Sequence, residues 1–130
     1  KGATSALDGV ALALPALMRA EKLQKRAARQ GFDWPDPAGP AAKVREELDE
    51  LAAAGTKAEH FDEAGDLLFA AVNLVRAHGI APEDALRGAN AKFERRFRGM
   101  EALAAERGAD FAGLTLDQQD ALWNAVKARE

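Results

Sequence analysis

Two clusters of acidic residues lie close together in the middle of this sequence. The first holds Glu46, Glu47 and Glu50, and the second holds Glu63 and Asp66. Each cluster contains a pair spaced three residues apart, which a helix would place on neighbouring positions of one face. Carboxylate oxygens in this number suit a hard divalent cation such as magnesium. The residue types and their spacing therefore favour a carboxylate metal site.

The segment between the two clusters predicts a tight turn between two helices. Ala54 and Gly55 lead into Thr56, which begins a Thr-x-x-Glu capping box that is completed by Glu59. Residues 43–66 are thus predicted to form helix, turn and helix. An antiparallel hairpin of this kind would bring the two carboxylate pairs face to face.

The second acidic pair adjoins a segment, residues 64–75, that is apolar almost all round. Such a helix is expected to be buried. Buried carboxylates need a partner, and the facing cluster is also acidic, so a bound cation would stabilise both. Two alternatives stay open. The first cluster alone is typical of a solvated helix face, and the second could pair with Lys or Arg in the core.

The rest of the sequence predicts an all-α fold. It shows no strand-like alternation, no glycine-rich phosphate loop and no internal repeat, so we expect one domain over residues 1–130. This domain is predicted to be a bundle of four main helices plus a shorter C-terminal one, after irregular residues 1–14. The predicted helices begin near Pro15, Pro40, Lys57, Pro82 and Thr115.

The second and fourth helices each carry a predicted apolar stripe. Val44, Leu48 and Leu51 form the stripe of the second helix, with Glu47 at its edge, about 60° away. On the fourth helix, Leu86, Phe93, Phe97 and Met100 form the stripe.

Lys92 and Arg96 lie one turn apart at the edge of the fourth-helix stripe. Their side chains could together bind a phosphate group, or they could form ion pairs with acidic residues at the surface. On the last helix Trp123 lies one turn before Lys127, and packing alone would explain the Trp.

Composition excludes several classes of site and partner. The chain has no cysteine, which rules out disulfides and thiolate metal sites and fits a cytoplasmic location. Its net charge of −3 predicts neither nucleic acid nor an acidic membrane surface as a partner. The longest apolar run, residues 10–18, is too short to span a bilayer.

The pattern Glu46-Glu47-x-x-Glu50, followed by Glu63-x-x-Asp66 and LLFAAVNL, closely resembles the MazG family of nucleoside triphosphate pyrophosphohydrolases. The segments GFDWPD, ANAKFERRF and ALWNAVK look like the C-terminal catalytic domain of two-domain bacterial MazG proteins. The resemblance covers nearly the whole chain, although only one of the two copies found in those proteins is present here.

The resemblance implies hydrolysis of a nucleoside triphosphate between its α and β phosphates, with Mg²⁺ or a substituting Mn²⁺. It also implies an intertwined homodimer of the all-α NTP pyrophosphatase type. The implied roles are metal binding by Glu47, Glu50, Glu63 and Asp66, water orientation by Glu46, and nucleotide contact by Lys92, Arg96, Trp123 and Lys127.

Two rival interpretations belong to other functional classes. The chain could be a helical interaction module whose acidic cluster is structural, or a nucleotide sensor that does not catalyse.

The third helix separately predicts that the chain is at least a dimer. Its apolar surface is wider than one bundle of short helices covers.

Overall fold

A computed structural model of the protein describes residues 4–130. Within these residues the regular structure is helical throughout, which confirms the predicted all-α fold class. No helix in this part of the chain has the length and apolar character needed to cross a membrane. The elements are α1 (Ala16–Ala28), α2 (Ala38–Ala53), α3 (Lys57–Ala77), α4 (Pro82–Glu106), a short 3₁₀ helix (Phe111–Gly113) and α5 (Leu116–Ala128).

Local signals in the sequence set the helix ends. Gly31 and Gly79 follow α1 and α3 with φ of 91° and 76°, a conformation that glycine adopts without steric cost. Thr56 caps α3 and accepts a hydrogen bond from the Glu59 backbone N–H, and Thr115 begins α5 with the same type of capping box. These four predictions are confirmed.

The chain divides into two compact units, one ending at Ala85 and one covering Leu86–Glu130. In the first unit α3 packs against both α2 and α1, and α2 and α3 form the predicted hairpin. Residues 4–14 are irregular, as predicted, and residues 1–3 of that prediction lie outside the described part. Arg26 of α1 holds this segment by donating to the backbone carbonyls of Ala6 and Asp8.

The predicted buried stripe of α2 is wrong in one respect. Leu48 is 50% exposed, whereas Glu47, predicted to flank the stripe, is only 3% exposed. The reason is tertiary: α3 lies over the side of α2 that carries Glu47, so the hairpin buries a carboxylate rather than a leucine. The helix also begins at Ala38, so Pro40 lies inside its first turn.

The expectation that the apolar segment of α3, residues 64–75, would be buried is only partly met. Phe61 is 84% exposed and Leu68 is 61% exposed, while Ala70 and Val72 are buried. Two neighbouring helices cover only part of the α3 surface, so an apolar side of it faces outward.

The second unit has its own small core. Met100, Leu103 and Ala104 of α4 are buried together with Leu122 of α5. Of the predicted α4 stripe, Met100 and Phe97 contribute to this core, whereas Leu86 and Phe93 are 47% and 57% exposed.

Candidate functional site

Carboxylate groups from both arms of the hairpin meet in the first unit. Oxygen atoms of Glu46, Glu47 and Glu50 lie within 4.8 Å of one another, and so do oxygen atoms of Glu47, Glu63 and Asp66. Glu47 belongs to both groups and therefore links α2 to α3. The hairpin thus brings together all five acidic residues that the sequence singled out, at separations that one or more cations could bridge.

Burial and mutual repulsion change the acidity of Glu47. Its side chain is almost fully buried, and this burial raises its pKa, assisted by a hydrogen bond with Glu50 and by the charge of Asp66. The charged form of Glu47 is therefore disfavoured without a cation nearby.

Glu63 shows the same tendency on the other arm. Its pKa is raised first by burial and then by the negative charges of Glu50 and Asp66. The sequence predicted that the carboxylates of α3 would be buried. The most buried one is instead Glu47 of α2, and Asp66 is exposed. The set of residues is as predicted, and the distribution of burial within it is not.

Lys43 is the positive charge beside this cluster. Its Nζ lies 2.9 Å from Glu46 Oε2, and this hydrogen bond is the main reason why the pKa of Lys43 is raised. Sequence reasoning missed Lys43, although its position one turn before Glu46 and Glu47 was a usable signal. A single exposed ammonium leaves most of the acidic charge uncompensated.

The donor set fits a hard divalent cation. All five side chains offer oxygen, they converge from two helices, and two of them are held in surroundings that penalise their charge. Four of them, Glu46, Glu47, Glu50 and Asp66, line a pocket of about 510 Å³, whose remaining wall includes Trp34, Phe69 and Asn73. There is space next to the carboxylates for a second molecule.

The second unit contains a separate cationic and aromatic group. Arg96 donates from Nε and Nη2 to the two carboxylate oxygens of Glu130, at 2.8 and 2.7 Å. Its guanidinium carbon lies 5.3 Å from the centroid of the Trp123 ring. Arg96 lowers the pKa of Glu130 through this hydrogen bond. The guanidinium is therefore oriented on both sides, by a carboxylate and by an aromatic ring.

The other predicted nucleotide contacts in this unit are more open. Lys92 and Lys127 are exposed, and Trp123 is half-buried, with its ring 6.0 Å from that of Phe93. Trp123 also packs against the core of the unit, so the packing role considered from the sequence is present. Arg95, on the same helix as Arg96, is exposed.

Sequence reasoning missed a polar network beside the acidic pocket. Arg76 of α3 donates from Nη2 to Asp33 Oδ1 at 2.9 Å and from Nε to Asn73 Oδ1 at 3.1 Å. The bond from Arg76 holds the pKa of Asp33 below its ordinary value. Asn73 and Arg76 interrupt the otherwise apolar second half of α3, residues 67–77, and that interruption was the signal available in the sequence.

The chain is similar to a known protein family and to curated proteins. The family described as phosphoribosyl-ATP pyrophosphohydrolase matches residues 14–93, which include every member of the acidic cluster. The chain is 47% identical over 135 aligned residues to a nucleoside triphosphate pyrophosphohydrolase of Escherichia coli K12, covering 100% of the chain and 51% of that protein.

A second relative comes from Thermotoga maritima. It is named nucleoside triphosphate pyrophosphohydrolase/pyrophosphatase MazG, and the chain is 43% identical to it over 114 residues, which are 88% of the chain and 45% of the relative. The chain thus spans about half the length of these curated relatives. The resemblance to MazG proteins drawn from the sequence motifs is confirmed.

Proposed function

Because the chain belongs to the phosphoribosyl-ATP pyrophosphohydrolase family, we propose that it hydrolyses nucleoside triphosphates between the α and β phosphates. The products are a nucleoside monophosphate and pyrophosphate, and the activity clears or controls nucleotide pools. The observation that carries the proposal is the pair of carboxylate triads that share the buried Glu47. Residues 1–130 act in this proposal as one catalytic domain.

The acidic cluster would hold Mg²⁺, or Mn²⁺ in its place, through Glu47, Glu50, Glu63 and Asp66. When bound, the ion polarises water and phosphate oxygens and offsets developing negative charge. The protein contributes a rigid arrangement, because Glu47 is fixed between two packed helices. Burial disfavours the charged forms of Glu47 and Glu63, and a bound cation would offset that cost. Both groups must be deprotonated to bind the ion, so metal affinity should fall as the pH is lowered.

Glu46 is proposed to orient the attacking water and accept its proton. It lies within the first triad but is exposed, so a solvent molecule can reach its carboxylate. Its ion pair with Lys43 positions the side chain and supplies a positive charge beside the acids. A general base has to be within hydrogen-bond reach of the water, and an exposed carboxylate next to the proposed metal ligands could reach a water held there.

Four residues of the second unit are proposed to bind the nucleotide. Lys92, Arg96 and Lys127 would offset the negative charge of the triphosphate. Trp123 would contact the nucleotide. The orientation of Arg96 between Glu130 and Trp123 supports its role, because a preoriented guanidinium loses less freedom when it binds phosphate.

We further propose that the chain acts in the cytoplasm as an intertwined homodimer, with no nucleic acid or membrane as partner. The exposed apolar residues Phe61 and Leu68 support the dimer: they lie seven residues apart and so on one side of α3. A second copy would cover this surface, and the site would be built from helices of both copies.

Release of pyrophosphate from a mixture of nucleoside triphosphates, measured with and without Mg²⁺, tests the activity. We expect release that needs the ion and stops when EDTA is added. A chain that binds nucleotides without releasing pyrophosphate would instead be a sensor, and one that does neither would be an interaction module.

A further inference from the structure

A second pocket, of about 480 Å³, lies in the first unit between α1, the loop that follows it and α3. Its wall is mostly apolar: Leu23 and Ala27 come from α1, Phe32 and Trp34 from the loop, and Phe69 from α3. Pockets that bind small molecules are of this size and are lined in this way, with few polar groups. We call it the apolar pocket.

The apolar pocket adjoins the acidic pocket. Phe32, Trp34, Phe69 and Asn73 line both of them, so the two spaces share a wall. A molecule whose charged end lies at the carboxylates can therefore extend an uncharged end toward the aromatic side chains.

Gln24 is the polar residue of α1 that lines the apolar pocket, and it is only 7% exposed. Its Nε2 donates to the backbone carbonyl of Phe69 at 3.0 Å. A carbonyl can only accept, so this bond settles which end of the amide is nitrogen. Gln24 Oε1 is then left buried without a hydrogen-bond partner in residues 4–130.

A buried acceptor without a partner is unfavourable, and in native proteins such a group is usually satisfied by an ordered water or a bound ligand. Aromatic rings favour a flat ligand, because planar rings stack or meet edge to face at close distance. The ligand that meets both conditions is planar and carries N–H groups on its edge. A nucleobase has this chemistry, and its triphosphate would lie at the cation that the adjoining acidic cluster is proposed to hold.

We propose that the apolar pocket holds the base of the nucleoside triphosphate and that Gln24 Oε1 accepts a hydrogen bond from an N–H on the base edge. This inference rests on the proposed function and adds a specificity-determining residue to it. Bases that present an N–H to Gln24 are preferred over bases that present a carbonyl there, since the latter would place two acceptors against each other.

Nucleoside binding without metal tests the pocket separately from catalysis. Calorimetric titration of the full chain with adenosine, guanosine, cytidine and uridine should show binding of at least one of them. Gln24→Leu should weaken that binding about tenfold, the effect expected for one lost hydrogen bond in a buried site. Gln30→Leu, an equally apolar change at an exposed position next to α1, should alter it by less than about twofold.

Turnover supplies the second readout. In Gln24→Leu the ratio of kcat/KM between triphosphates with preferred and disfavoured bases should fall toward one. Inorganic tripolyphosphate has no base, so its inhibition of the enzyme in the presence of Mg²⁺ should stay unchanged. An equal loss for all four triphosphates, or unchanged ratios, would overturn the proposal.

A further variant covers the case in which Gln24→Leu does not fold. Ala27→Phe leaves Gln24 in place and fills the pocket with a ring, so it should abolish nucleoside binding; retained binding would overturn the proposal. A wild-type chain that binds nucleosides in this way but hydrolyses no triphosphate would refute the proposed function and leave the pocket assignment standing. A wild-type chain that hydrolyses triphosphates but binds no nucleoside would refute the pocket assignment and leave the proposed function standing.

Discussion

Arg96 lies with its guanidinium carbon 5.3 Å from the centre of the Trp123 ring, and the same group donates two hydrogen bonds to Glu130. Phosphate can take the place of a carboxylate in this geometry, because both accept two parallel N–H bonds. Lysine offers neither the planar fork nor the stacked face.

Arg96→Lys should therefore lower kcat/KM for nucleoside triphosphates about tenfold or more, although the charge is kept. The loss should fall on kcat as well as KM, since charge grows on the leaving pyrophosphate in the transition state. Steady-state kinetics measure both constants.

Arg95→Ala is the matched control on the same helix, and it should stay close to wild type because Arg95 is exposed. Equal effects at Arg95 and Arg96 would mean that the basic residues of α4 form only a solvated face.

Glu50→Ala and Asp66→Ala should each lower turnover at least about 100-fold, the scale seen when one charge-stabilising group is removed from an active site. Both variants should keep their helical circular dichroism, because neither residue is buried. The measurement is pyrophosphate release at saturating Mg²⁺. Asp49→Ala, an exposed acid of α2 outside both triads, should behave like wild type. Near-normal turnover in Glu50→Ala or Asp66→Ala would refute the ligand assignment.

Stability of the metal-free protein should depend on pH through Glu47. Its pKa lies above the ordinary 4.5 in the folded state, so its contribution to stability is present below pH 4.5 and is lost as pH rises through the raised pKa. Glu47→Gln, which cannot ionise, should therefore melt at a higher temperature than wild type near neutral pH.

The difference between Glu47→Gln and wild type should shrink toward pH 4.5 and reverse when Mg²⁺ is added, because only the carboxylate binds the ion strongly. Thermal melting curves in EDTA and in Mg²⁺ across this range measure it. A constant difference at every pH would show that Glu47 does not titrate as described.

Assembly should depend on the exposed side of α3. Leu68→Asp places a charge in the proposed dimer interface and should convert the dimer to monomer at micromolar concentration, as measured by sedimentation velocity. Lys57→Asp puts the same charge at the exposed start of α3, where it suits the helix dipole, and should leave the dimer intact. Wild type that sediments as a monomer would remove the proposed shared site.

Features encoded by a few neighbouring residues could be predicted from the sequence. The ends of α1 and α3 follow from Gly31 and Gly79, and the start of α3 follows from the Thr56 capping box. The meeting of the two acidic clusters follows from their periodicity and the short turn between them.

Features that depend on tertiary packing could not be predicted in this way. Glu47 is buried and Leu48 exposed because α3 covers one side of α2 and not the other, and hydrophobicity alone favours the opposite outcome. The bond from Gln24 to the Phe69 carbonyl joins residues 45 positions apart, and the pair of Arg96 with Glu130 joins residues 34 apart. No local pattern marks such partners.

The identity of the bond that is cleaved tests the central proposal most directly. Phosphorus NMR of a nucleoside triphosphate incubated with the chain and Mg²⁺ should show nucleoside monophosphate and pyrophosphate appearing together in equal amounts. The same signals should be absent with Glu47→Gln, whose amide weakens the link between the two triads. Nucleoside diphosphate with inorganic phosphate, or no product at all, would contradict the assignment of this acidic cluster as a pyrophosphohydrolase site.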